Sequence, residues 1–115
     1  GRRTPVYAGM IQSVDESVGR ISAKLAELKL DKRTVIIFTA DNGGTSSASS
    51  GGLRGGKATA WEGGVREPYI IKWPGVVKGG STTDSLAIGM DFFPTMLEIA
   101  GLPALPEEHL DGVHP

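Results

Sequence analysis

The chain has no cysteine. Disulfide cross-links and thiolate metal sites are therefore excluded, and no redox compartment can be read from the residues. An excess of charge of one sign is also missing. Twelve Lys and Arg stand against thirteen Asp and Glu, a net charge of −1. The basic residues are scattered, with no grouping beyond Arg2-Arg3 and Lys32-Arg33, so the basic footprint of a nucleic-acid binder is absent. No apolar run approaches the ~20 residues of a membrane span. There is no signal-peptide pattern, and the opening Gly-Arg-Arg without methionine reads as a processed or excised segment. No internal repeat is present. Glycine is what the chain has in excess, 17 of 115 residues, most of them in the middle. The apolar fraction of 39% and charged fraction of 22% are those of a globular protein, and the length fits one small domain or a piece of a larger one.

The run Thr34-Val-Ile-Ile-Phe-Thr-Ala is apolar and β-branched, and it ends abruptly in Asp41-Asn42-Gly43-Gly44. Such a run, bounded by polar residues and glycine, predicts a strand buried on both faces. In open α/β sheets ligands bind at the carboxyl ends of the strands, so Asp41 and Asn42 stand at a candidate site. The same four residues also have the chemistry of an Asx turn, and the sequence leaves both readings open.

Residues 5–29 predict one long amphipathic helix. Tyr7, Met10, Ile11, Val14, Val18, Ile21, Leu25 and Leu28 recur at spacings of three and four. Thr4-Pro5 supplies the start signal, Glu16 and Arg20 stand four apart as an exposed ion pair, and Gly19 leaves room for another element to approach. The helix and the strand after it form half of a βαβ unit whose first strand would lie upstream, with the apolar stripe on a sheet face. Residues 43–64 are rich in glycine and serine, but Leu53, Arg54, Lys57, Trp61 and Glu62 interrupt the pattern of a linker. Residues 45–50 are expected to be mobile and 53–64 ordered. Glu67-Pro-Tyr-Ile-Ile-Lys-Trp73 predicts a strand with Pro68 at its start, Pro74-Gly75 a turn, and residues 85–90 a weaker strand or extended segment. Residues 91–101 predict a short helix with Asp91 as N-cap and Gly101 as its C′ residue. The tail from Leu102 has three prolines and no period.

Gly51-Gly-Leu-Arg-Gly-Gly56-Lys57 has the spacing of a phosphate-binding P-loop, but Ala58 stands where the magnesium-holding Ser or Thr is required. The strand ends about ten residues too early to feed the loop, and Gly63-Gly64 follows too soon for a phosphate-capping helix. Lys57 in its glycine-lined loop suits an oxyanion, held by backbone N–H groups and one ammonium; a solvated surface charge is the plainer alternative. Asp41 and Asn42 offer two oxygens to a hard cation, of the six to eight that calcium takes. His109 and His114 have no partner at ligand spacing and read as surface residues.

Taken together, these blocks carry a resemblance. They are Tyr7-Ala-x-Met-Ile-x-x-Val-Asp15-x-x-Val-Gly19-Arg-Ile, Thr34-Val-Ile-Ile-Phe-Thr-Ala-Asp41-Asn42-Gly43, Leu53-Arg-Gly-Gly-Lys57-x-x-x-Trp-Glu-Gly-Gly-Val-Arg66-x-Pro68, Trp73-Pro-Gly, Asp91-x-x-Pro94-Thr-x-Leu-x-x-Ala-Gly101 and Asp111-Gly112. Their order and content resemble the sulfatase family, the formylglycine-dependent sulfuric ester hydrolases of the alkaline phosphatase superfamily. The resemblance implies an α/β fold, a partial alkaline-phosphatase-like sandwich with a few buried strands, a long amphipathic helix and a short second helix. It implies that Asp41 and Asn42 are ligands of calcium or another divalent cation, and that Lys57 binds the sulfate of a sulfate-ester substrate. Glu62 and Arg66 fall in a motif that orders the loop presenting Lys57. An export compartment is implied as well: periplasm, exterior or lysosome.

The family's formylglycine arises from a Cys/Ser-x-Pro-x-Arg motif, and these residues contain none. The family's amino-terminal aspartate pair, its catalytic histidines and its second lysine have no counterpart either. Residues 1–115 are therefore expected to be the carboxyl-side part of a catalytic domain, with the nucleophile upstream. Alone, the chain is expected to be inactive, to bind calcium weakly and to self-associate through exposed sheet edges. Two alternatives stay open: a phosphodiesterase or phosphonate hydrolase of the same superfamily, and a non-catalytic binding or structural module.

Overall fold

A computed structural model describes residues 5–105. The Arg2-Arg3 pair, the Thr4 N-cap, His109, the Asp111-Gly112 block and His114 lie outside the described residues. The chain divides into two compact units, Gly1–Gly80 and Ser81–Pro115.

The first unit opens with helix α1, Pro5–Glu27. Proline suits this start because its missing N–H falls among those that no helix carbonyl can reach. The helix stops two residues short of the expected end. Leu30 N–H donates to the Leu25 carbonyl at 2.8 Å and Lys29 N–H to that of Ala26 at 3.0 Å, the paired bonds of a Schellman cap. Lys29 carries the left-handed residue of that cap, with φ 57°. Glycine takes this conformation without the clash of a β-carbon, so Lys29→Gly is expected to stabilise the protein by about 0.5–1 kcal/mol, read as a rise in its urea midpoint. The expected Glu16–Arg20 pair is not formed. Gln12 Nε2, one turn earlier, donates to Glu16 Oε1 at 2.7 Å and takes the carboxylate instead.

Strand β1, Ile36–Thr39, pairs antiparallel with β2, Tyr69–Lys72, so that Ile37 faces Ile71 and Phe38 faces Ile70. Pro68 stands immediately before β2, where its missing N–H costs no ladder bond. At Trp73-Pro74-Gly75 the expected turn forms, with Val76 N–H donating to the Trp73 carbonyl at 3.2 Å and Gly75 at φ 85°.

Two expectations are corrected here. β1 is not buried on both faces: Ile36 and Ile37 are half-buried and Phe38 and Thr39 exposed. Its partner among the described residues, β2, is antiparallel; the parallel strand expected upstream lies outside them. The α1 stripe does not lie on the sheet, for α1 packs against neither strand and has no buried residue. Nor would a β-carbon added to Gly19 meet anything within 4 Å.

No hydrophobic residue is buried among the described residues. Met10, Val14 and Ile21 on the α1 stripe are 61%, 46% and 58% exposed. Full burial of one such side chain is worth roughly 1.5–3 kcal/mol. The whole stripe thus carries on the order of 10 kcal/mol, the size of a domain's net stability. These faces are built to be covered.

In the second unit residues 85–88 form no strand, although Ile88 is extended at φ −129° and ψ 168°, and Leu86 is 92% exposed. A 3-10 turn, Gly89–Asp91, leads into α3, Phe92–Ile99. Asp91 holds the N-cap position, yet its carboxylate does not cap the helix. The residue already belongs to the 3-10 turn, and Oδ2 accepts the N–H of Ile88 at 2.8 Å. Thr95 Oγ1 donates to the Asp91 carbonyl at 2.6 Å. Gly101 closes α3 as expected, at φ 67°, with Leu102 N–H on the Leu97 carbonyl at 2.9 Å.

Candidate functional site

After β1 the chain turns through Asp41, exposed, and Asn42, half-buried, to Gly43, which is buried. An Asx turn requires one of these side chains to accept a backbone N–H two residues on. Among the described residues neither side chain makes a hydrogen bond or ion pair. The Asx-turn alternative is not realised, and both donor oxygens are free. Two adjacent oxygens, one anionic, suit a hard cation but supply only part of its shell. No group of three or more His, Cys, Asp or Glu able to hold a metal occurs among the described residues, so further ligands have to come from elsewhere.

Lys57 is brought to the same strand end by the backbone. Its N–H donates to the Gly44 carbonyl at 3.0 Å, and Gly43 N–H donates to the Gly64 carbonyl at 3.2 Å. Residues 56–59 form a β-turn, with Thr59 N–H on the Gly56 carbonyl at 3.1 Å. Lys57 is its second residue and Ala58 its third, the latter at φ 66°, the pattern of a type II turn. Thr59 Oγ1 locks the turn from the side chain, donating to the Gly56 carbonyl at 2.8 Å and accepting the Gly56 N–H at 3.1 Å. No helix begins between Lys57 and α2, Glu62–Val65, which agrees with setting the P-loop aside. Glu62 and Arg66 pair across α2 at 3.4 Å with both side chains exposed. Residues 45–50 are built from short hydrogen-bonded turns, and Ser50 Oγ donates to the Gly55 carbonyl at 3.0 Å.

Glycine is what lets these backbones meet. A β-carbon on Gly56 would lie 2.6 Å from the Gly44 carbonyl oxygen, and one on Gly63 would lie 2.8 Å from that of Arg54. Both obstacles are backbone atoms, so no rotamer relieves them. Sequence reasoning missed this interlock and the part played by Thr59. The doubled glycines Gly43-Gly44, Gly55-Gly56 and Gly63-Gly64 were the available signal, since paired glycines at three separated positions suit three backbones in contact.

The chain is thus an α/β protein in which backbone bonds tie the turn carrying Lys57 to the strand end carrying Asp41 and Asn42. The chain belongs to the sulfatase family, whose family model, Sulfatase, matches residues 2–102. It is 40% identical over 118 residues to steryl-sulfatase of Homo sapiens, covering 93% of this chain and 20% of that protein. It is likewise 42% identical over 111 residues to human arylsulfatase A, covering 92% and 22%. Among solved structures, the crystal structure of Ps i-CgsB in complex with k-i-k-neocarrahexaose superposes with a TM-score of 0.91 at 33% identity, covering 98% of this chain and 26% of that one. The chain thus spans about a fifth of the length of these curated relatives, and its α/β arrangement is shared with the solved neighbour.

Proposed function

We propose that the protein carrying this chain is a sulfuric ester hydrolase, and that residues 1–115 form the carboxyl-side part of its catalytic domain. In this reading Asp41 and Asn42 give oxygen ligands to calcium or another divalent cation, and Lys57 binds the sulfate of an aryl or sugar ester. The observation that carries the reading is the pair of backbone bonds, Lys57 to Gly44 and Gly43 to Gly64, joining the lysine turn to the Asp-Asn strand end. The Lys57 ammonium, like the Asp41 and Asn42 side chains, has no hydrogen-bond or ion-pair partner among the described residues.

Lys57 offsets negative charge on the transferring group, and a turn held in advance spends nothing on reorganisation when that charge develops. Asp41 and Asn42 would hold the cation through their side-chain oxygens. The cation, when bound, polarises the sulfate oxygens and steadies the hydrated formylglycine nucleophile, which the upstream part of the domain would supply. That upstream part is also the partner for the exposed α1 stripe. Glu67 Oε1, buried and without a hydrogen-bond partner among the described residues, is a second place where it would contribute a donor. No described helix is long and apolar enough to cross a membrane.

The test is the peptide mass of the nucleophile segment of the whole protein. A Cys or Ser converted to formylglycine supports the reading. An unmodified Thr or Ser nucleophile moves the reaction to phosphoryl transfer, and absence of any nucleophile segment favours a non-catalytic module. The purified 115 residues alone are expected to release no phenol from an aryl sulfate and to self-associate in light scattering; contaminant-free turnover would overturn the first expectation and a clean monomer the second.

A further inference from the structure

The Lys57 ammonium sits on four rotatable bonds and has no partner among the described residues, so among these residues only the backbone of its turn limits where it can reach. Outside that turn, the segment is drawn closed at Arg54 and Trp61. The Arg54 guanidinium stacks on the Trp61 ring, 3.5 Å from its centroid. Gly63 N–H donates to the Arg54 carbonyl at 2.7 Å. Trp61 also rests on the bare α-carbon of Gly55, where a β-carbon would meet the Trp61 Cβ at 2.8 Å. Lys57 lies between the two stacked residues in sequence and lines neither the stack nor its base. The guanidinium over this indole, itself 49% exposed, is a cation–π contact of about 0.5–1 kcal/mol, and it ties residue 54 to residue 61 across the turn that carries Lys57.

Resting on the assignment of Lys57 to the sulfate, we infer that the Arg54–Trp61 stack is a positioning clamp: it fixes the two sides of the loop that aims the Lys57 ammonium. Neither residue is assigned contact with substrate. Trp61→Ala removes the aromatic face and the packing on Gly55 together. Trp61→Phe keeps a face for the guanidinium and the same Cβ.

The experiment is a double-mutant cycle in the full-length enzyme, with inorganic sulfate as competitive inhibitor. Trp61→Ala is expected to lower kcat/KM by about 10- to 100-fold, the cost of a group displaced by a fraction of an ångström to an ångström. It is expected to weaken inorganic sulfate by a similar factor, whereas Trp61→Phe stays within about 3-fold of the parent. In a Lys57→Ala background the same change is expected to cost less than about 2-fold, because its effect passes through the missing lysine. Equal losses in both backgrounds overturn the clamp while leaving Lys57 as the sulfate contact. Weaker ester binding with unchanged sulfate inhibition overturns it too, by making Trp61 a substrate contact. A Lys57→Ala enzyme of undiminished activity removes the assignment of Lys57 and the clamp with it. Should Trp61→Ala fail to fold, Arg54→Gln removes the stack alone and runs through the same cycle, with the same outcomes deciding.

Discussion

Alanine at Gly43 is expected to lower the thermal midpoint of the full-length enzyme and its turnover together. The added β-carbon would fall on the Gly63 carbonyl oxygen, 2.7 Å from the Gly64 Cα and 2.9 Å from the Gly63 carbonyl carbon. All three are backbone atoms of a buried segment, so the strand end and the α2 loop have to separate. Separation also lengthens the 3.2 Å bond from Gly43 N–H to the Gly64 carbonyl. Overpacking of this kind costs about 1–3 kcal/mol and a lost hydrogen bond about 1 more, for a total of about 2–4 kcal/mol. Activity suffers beyond stability. The same contact holds the Lys57 turn beside Asp41 and Asn42, and a displacement of about 1 Å costs on the order of 10²-fold in rate. Gly79→Ala is the control, for the added β-carbon would have nothing within 4 Å and its φ is not in the left-handed range; it is expected to be neutral or to gain about 0.4–1 kcal/mol. Calorimetry and kcat measured well below both midpoints check the pair. A Gly43→Ala enzyme with the melting curve and kcat of the control would mean that the interlock does not hold the site.

What could be read from the residues depended on whether the controlling interaction was local. The start of α1 was visible because Pro5 and the three-four spacing act within a few residues. Its end was less so: a Schellman cap calls for glycine, and Lys29 takes the left-handed position instead. The turn at Pro74-Gly75 and the cap at Gly101 were visible for the converse reason, since there the expected glycine occupies the positive φ. Burial of β1 was misread because burial belongs to whatever covers a strand. An apolar run of the right length says that Ile36, Ile37 and Phe38 want cover; it cannot say that the covering layer lies outside these residues. The order of residues 53–64 was foreseen from the large side chains interrupting the glycines. The means of that order was not, because Thr59 holds both polar groups of Gly56 through a geometry that no periodicity encodes. At the site, Asp41, Asn42 and Lys57 were picked out as residue types. Only the fold returns the Lys57 backbone to the strand end, where it bonds to Gly44 two residues after Asn42.

Asp41→Ala separates a metal ligand from a turn-former by leaving stability and activity to answer differently. Asp41 is exposed and its carboxylate has no partner among the described residues. Removing it therefore strips no hydrogen bond from the fold, and its effect on the metal-free protein is expected to stay within about 0.5 kcal/mol. Were the carboxylate instead the acceptor of an Asx turn, its loss would destabilise the metal-free protein by about 0.5–1.5 kcal/mol, the net value of a hydrogen bond. Calcium affinity of the full-length enzyme should move far more. Changing an outer hydrogen-bond partner of a metal ligand already costs about 10–100-fold, so deletion of a charged ligand is expected to weaken calcium by at least about 100-fold. Turnover falls in proportion at limiting calcium and recovers in part when calcium is raised. Asp41→Asn sharpens the comparison. It keeps a carbonyl oxygen at the same place and gives up the charge, so its calcium affinity is expected between those of the parent and Asp41→Ala. Isothermal titration of the three proteins with calcium, beside melting curves taken in chelator, reads both quantities. Equal calcium affinities would remove Asp41 from the metal and return the strand end to a plain turn, while an affinity order of Asp, Asn, Ala with unchanged chelator melts would fix its carboxylate as a ligand.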